Sequence, residues 1–114
     1  MNKLIKSFDW ATNGISTAWC EEANFRIEAL AGFGVVMLGI YLGFSQLEWV
    51  IIIGCIGLVL SAEMVNTAIE DLCDRIEPSH DPVIGKVKDI MSGFVLIVSV
   101  TSLIVGLIVF SNYL

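Results

Sequence analysis

The chain has 114 residues, a net charge of −6 and 56% hydrophobic residues, with a mean hydropathy of +0.83. That length is one domain's worth, and the apolar excess lies beyond soluble globular composition, toward a membrane protein. The acidic balance argues against a nucleic-acid partner, because a binder of phosphodiester backbones needs a basic surface.

Residues 1–25 read as a surface helix and its junction with a membrane. Leu4, Phe8, Ile15 and Trp19 share one face of a helix over 3–20, while Lys3, Lys6, Asp9 and Asn13 lie elsewhere. Trp10 and Trp19 suit the headgroup zone. The Thr12-Asn13-Gly14 triplet predicts a break or bend there. No removable signal peptide is expected, since the first apolar run begins late and no small-residue cleavage site follows it.

Three spanning helices are expected over 27–44, 50–69 and 90–110, each near the 20 residues that cross a hydrocarbon core. Gly39 and Gly43 in the first form a small-xxx-small pair suited to close helix packing. Residues 45–49 read as a tight polar loop and 71–89 as a charged loop containing Pro78 and Pro82. The fold class is therefore all-α: a surface helix plus three transmembrane helices. Lys3, Lys6, Arg26, Arg75, Lys86 and Lys88 all fall before the first span or between the second and third. By the positive-inside rule the N-terminus and the 71–89 loop face the cytoplasm and the C-terminus faces out.

The second span ends in SAEMVNTAIE, where Glu63, Asn66 and Glu70 fall on one helical stripe. A charge at the centre of a spanning helix costs about 2.5–3.5 kcal/mol on insertion scales, so such a carboxylate points to function. Glu63 lies about two turns deeper than Glu70. A desolvated carboxylate there suits a general base, while Glu70, nearer the water, suits a divalent cation. The structural alternative is polar glue between helices, a task usually given to Ser, Thr or Asn. Glu21-Glu22 precedes the first span; a solvated pair by itself, it gains interest because Mg²⁺ in phosphate chemistry takes one or two carboxylates plus phosphate oxygens. Arg26, one turn on, could pair with Glu22 or with a lipid headgroup, and Trp19 sits at the same level. Lys88-Asp89 offers a phosphate-binding cation with a neighbouring carboxylate that could orient it or bind metal; an interfacial anchor with an N-cap aspartate fits the local sequence equally well. Gly85-Lys86 lacks the remainder of a phosphate loop. His80 reads as solvent-exposed. Cys20, Cys55 and Cys73 have no metal spacing and read as small apolar fillers.

The segment EMVNTAIEDLCDRIEPSHDPVIGKVKDIMSG, from Glu63 to Gly93, resembles the signature of the small bacterial integral-membrane lipid kinases, the prokaryotic diacylglycerol kinase and undecaprenol kinase family. The stretch WCEEANFRIE is similar to that family's junction of surface helix and membrane, and the likeness runs nearly the whole chain. It implies a homotrimer in the bacterial cytoplasmic membrane that transfers the γ-phosphate of ATP to a lipid hydroxyl with Mg²⁺. By position, the resemblance makes Glu63 the general base and Asn66 its polar partner. It makes Glu22 and Glu70 the metal carboxylates, also facing ATP, and Lys88 and Asp89 the groups at the nucleotide phosphates. Lys3 and Trp10 fall at nucleotide-facing positions of the surface helix; Ser92, with Trp19 and Arg26, falls on the lipid side. Ser79-His80-Asp81 departs from the family's loop, and Gly93-Phe94 replaces a small-small pair. Diacylglycerol and undecaprenol both remain open as substrate. The alternative from another class is a non-enzymatic oligomer whose carboxylates line an ion path, against which the third span offers no acidic residue to continue one.

Overall fold

A computed structural model describes residues 2–76 and 81–114 and is all-helical. Its helices are α1 (Asn2–Glu21), α2 (Ala23–Leu42), α3 (Gln46–Ile76) and α4 (Pro82–Ser111). The last three are long and apolar enough to cross a membrane. They pack up-down-up, α3 against both α2 and α4, while α1 packs against α2. Residues 77–80 lie outside the described residues, and with them the readings made of Pro78, Ser79 and His80.

Two expected loops are largely helix. Of the charged stretch 71–89, residues 71–76 complete α3 and 82–89 begin α4. At a rise of 1.5 Å per residue, the 31 residues of α3 run about 46 Å, well beyond a hydrocarbon core of about 30 Å. Charged residues at its end are therefore compatible with unbroken helix outside the apolar layer, and Cys73 there is buried. Helix α4 starts where its own signals put it. Asp81 Oδ1 accepts the backbone N–H of Val83 at 2.8 Å and of Ile84 at 3.2 Å, and Pro82 occupies the first turn. Asp89 thus sits inside α4 and is not its cap. Helix α1 likewise runs straight through Thr12-Asn13-Gly14. Thr12 satisfies its hydroxyl on the Phe8 carbonyl at 2.8 Å, and one glycine costs a helix only about 1 kcal/mol.

Between α2 and α3 the chain reverses in three residues. Gly43 takes φ +77°, a left-handed conformation that favours glycine, and the N–H groups of Gly43 and Phe44 both donate to the Gly39 carbonyl. Ser45 and Glu48 then form a reciprocal capping box: Glu48 N–H donates to Ser45 Oγ at 3.2 Å, and Ser45 N–H to Glu48 Oε1 at 2.8 Å. Phe44 is buried against Ile52 and Val109 and ringed by Trp49, Phe110 and Tyr113 at centroid separations of 5.2, 5.3 and 5.5 Å. A Cβ on Gly39 would stand 2.6 Å from the Phe44 ring and 2.8 Å from Trp49. Gly39 therefore lets Trp49 of α3 approach α2 closely, as the spacing suggested, and also seats Phe44, while Gly43 serves the turn.

Glu48 also ties down the other end of the chain. Its carboxylate accepts the Tyr113 hydroxyl and, at 3.1 Å, the Asn112 side-chain amide. The hydrogen bond to Glu48, then burial, then the negative charge of Glu48 hold the Tyr113 phenol above the ordinary value of about 10. The sign follows from linkage: a group whose folded value is raised contributes stability below its unfolded value and loses it as pH rises through the folded one. Thermal unfolding in detergent should therefore show a midpoint that falls above about pH 10. Tyr113→Phe should start lower by a few degrees at neutral pH and lose this part of the alkaline decline; a variant that keeps the full decline would assign it elsewhere.

Candidate active site

At the end of the bundle opposite Glu48, helices α2 and α3 bring four carboxylates and an amide together. Glu63 is buried in α3, 5% exposed. Glu28, reached from α2, is close enough for the two carboxyls to act on one another. Glu22, at the extended residue between α1 and α2, and Glu70, two turns along α3, are close enough for their charges to act on Glu63. Asn66 donates from Nδ2 to Glu70 Oε1 at 3.5 Å. The stripe expected on α3 is thus present, and it faces α2.

Two acceptors here are buried with no donor among the described residues: Glu28 Oε2 and Asn66 Oδ1. Buried polar groups are almost always paired, so each such atom has room for a donor or a cation. The available ligands are hard oxygens, which suits Mg²⁺. Among the described residues no three Asp, Glu, His or Cys side chains converge as a ready-made metal cage. An ion held by two carboxylates and completed by phosphate oxygens needs no such cage, and the donor set at Glu22 and Glu70 fits that arrangement.

An apolar groove of about 430 Å³ leads away from this cluster between α2, α3 and α4. Glu28 stands in its wall with Gly32, Cys55, Ser99, Ser102 and Gly106, and Phe110 lies at the far end beside the aromatic seat. A carboxyl set against a hydrocarbon slot matches an amphiphile with a hydroxyl head. Ser92 does not line the groove and is exposed on α4.

Other side chains fall differently from their sequence readings. The Arg26 guanidinium does not pair with Glu22; its Nη1 donates to the carbonyls of Trp19 at 2.7 Å and Cys20 at 3.2 Å, satisfying the last turn of α1. Lys88, from α4, is bonded to Asp74 at 2.5 Å and not to its neighbour Asp89, which is exposed. Cys20 is exposed, Cys55 half-buried and Cys73 buried; all three are free thiols, and only the last is a true core filler. Lys3 and Trp10 are exposed on α1, about 28 and 18 Å of helix from Glu22. The length of α1 keeps both away from Glu22 within one protomer.

Sequence reasoning missed Glu28, Asp74, Ser99 and Ser102. The signal for Glu28 was the same as for Glu63, an acid inside an apolar run. Asp74 continues the stripe of Glu63, Asn66 and Glu70 by one more turn. No local pattern marks Ser99 and Ser102 off from Ser92; only their place in the wall of the groove does.

A sequence model of the family described as prokaryotic diacylglycerol kinase matches residues 9–110. The chain is similar to the undecaprenol kinase of Bacillus subtilis (strain 168), 38% identical over 96% of this chain and 89% of that protein. It is also similar to the diacylglycerol kinase of Escherichia coli (strain K12), 32% identical over 90% of this chain and 84% of that protein. The diacylglycerol kinase of Haemophilus influenzae is 30% identical over 85% and 82% of the two chains.

Proposed function

This chain belongs to the prokaryotic diacylglycerol kinase family and is an integral membrane lipid kinase, and we propose that it transfers the γ-phosphate of ATP to the hydroxyl of diacylglycerol or undecaprenol. The observation that carries the reading is the buried Glu63 carboxyl close to Glu28, which stands in the wall of an apolar groove. A lipid alcohol laid along that groove presents its hydroxyl to the carboxylates while its hydrocarbon stays dry.

Glu63 accepts the hydroxyl proton as the lipid oxygen bonds to the γ-phosphorus and the bond to the β-bridging oxygen of ATP breaks, releasing ADP. Asn66 holds Glu70 and offers a carbonyl oxygen beside the base. Glu22 and Glu70 would hold Mg²⁺, which when bound supplies positive charge against the phosphates. Lys88 supplies a second positive charge, with Asp89 next to it. The sequence resemblance supports Lys3 and Trp10 at the nucleotide and Trp19, Arg26 and Ser92 on the lipid side.

Because α1 keeps Lys3 and Trp10 away from Glu22 within one protomer, the reading includes a homotrimer whose sites form between copies. It also includes α1 lying on the cytoplasmic face of the bacterial inner membrane, with the C-terminus outside. Support for that placement comes from the exposed Leu4, Phe8, Ile15 and Trp19 and from the six cations, all of which precede the first span or fall between the second and third. The test uses purified protein in lipid with radiolabelled ATP and Mg²⁺, supplied with diacylglycerol or undecaprenol in parallel. Label should move to one alcohol in preference to the other; label on neither would sink the reading.

A further inference from the structure

Lys88 is a four-carbon cation in the second turn of α4, 39% exposed at its side chain. Such a side chain samples many rotamers, and any phosphate it binds must first wait for it to be ordered. Here it is ordered already. Its ammonium is bonded to Asp74 Oδ1 at 2.5 Å, the one ion pair among the described residues. The two residues come from different helices, Asp74 from the last turn and a half of α3 and Lys88 from the second turn of α4.

The position of Asp74 decides what that bond does. Glu63, Asn66, Glu70 and Asp74 are spaced at three, four and four residues, so they form one stripe along α3. Bonding to Asp74 therefore draws the Lys88 ammonium to the water-side end of the carboxylate stripe, one turn from Glu70. Asp89, the neighbour of Lys88 in sequence, points about 100° away around α4 and cannot do this. Lysine has three donor hydrogens, and the Asp74 bond uses one. Two remain for phosphate oxygens.

We propose that Asp74 is a positioning residue for phosphoryl transfer, holding the Lys88 ammonium beside Glu70 so that the nucleotide phosphates meet a pre-ordered cation. The proposal rests on the reading of Lys88 as a phosphate ligand. An exposed ion pair contributes little to stability, so its effect belongs in nucleotide recognition and not in the melting curve. That separates it from a structural role.

Initial rates against ATP at saturating lipid alcohol test it on Asp74→Asn, Asp74→Glu, Lys88→Ala and the double variant Asp74→Asn/Lys88→Ala. Asp74→Asn should raise KM for ATP about 3- to 10-fold, the cost of ordering a freed lysine. It should leave kcat within about twofold and KM for the lipid and the thermal midpoint unchanged. Asp74→Glu should recover most of the loss. In the Lys88→Ala background, Asp74→Asn should add nothing, because the two act as one unit. Additive losses, or an unchanged KM for ATP in Asp74→Asn, would overturn the proposal while leaving the kinase reading intact. If instead Lys88→Ala leaves ATP dependence unchanged, the phosphate role of Lys88 fails and the positioning role fails with it.

Discussion

Glu63→Gln should lower lipid phosphorylation by about 100- to 10,000-fold, the usual contribution of a positioned general base. The substitution is nearly isosteric and keeps a hydrogen-bonding group in the same buried place, so the loss isolates proton acceptance. Stability gives the second readout. In the native chain the Glu63 carboxyl faces Glu28 and feels the charges of Glu22 and Glu70. A neutral amide relieves that crowding, so the variant should melt at the same temperature as the parent or slightly above it. Active sites commonly hold such unfavourable groups, and removing them stabilises the fold at the expense of the reaction. If Glu63 were polar glue between α2 and α3, the outcome would be reversed, with stability lost and rate kept. A rate within about tenfold of the parent would remove Glu63 from the role of base.

The features that strong local physics enforces were readable from the residues. An apolar run of some 20 residues has few structures open to it in a bilayer, which is why all three spanning helices were expected and found. The stripe on α3 was readable because helical spacing and the cost of a buried carboxylate act within one short segment. Helix ends were harder. Residues 71–76 and 82–89 carry charges that look like loop, yet a charged helix beyond the apolar layer is ordinary, and the Asp81-Pro82 start signal was lost inside that presumption. Ser45-Gln46-Leu47-Glu48 was likewise a capping box in plain sight, read as loop because it is polar.

Cross-helix partners were not readable at all. Glu28 finds Glu63, Asp74 finds Lys88 and Tyr113 finds Glu48 across 35, 14 and 65 residues of chain. These pairings depend on how α2, α3 and α4 rotate about their own axes, which no window of sequence contains. Glycines show the same limit. The Gly39–Gly43 spacing is that of a packing motif; Gly39 does leave room for Trp49 of α3, and for Phe44, but Gly43 turns the chain.

Glu70→Gln carries the second large effect, and it should fall on the metal and not on the lipid. Glu70 Oε1 accepts the Asn66 amide, a bond that a glutamine oxygen can keep, so the stripe should hold its shape while losing one charge. The Mg²⁺ concentration for half-maximal activity should rise about 10- to 100-fold, the range seen when a metal's surroundings are disturbed. KM for the lipid alcohol should stay put, since Glu70 is not among the side chains lining the groove. Raising Mg²⁺ should restore much of the rate in Glu70→Gln and none in Glu63→Gln, because added cation can offset weaker binding and cannot replace a missing base. A Glu70→Gln enzyme with parent Mg²⁺ dependence and weakened lipid binding would contradict the metal role and move this carboxylate to the lipid side of the site. The pair of variants therefore separates two acids on one helical stripe by which reagent rescues each.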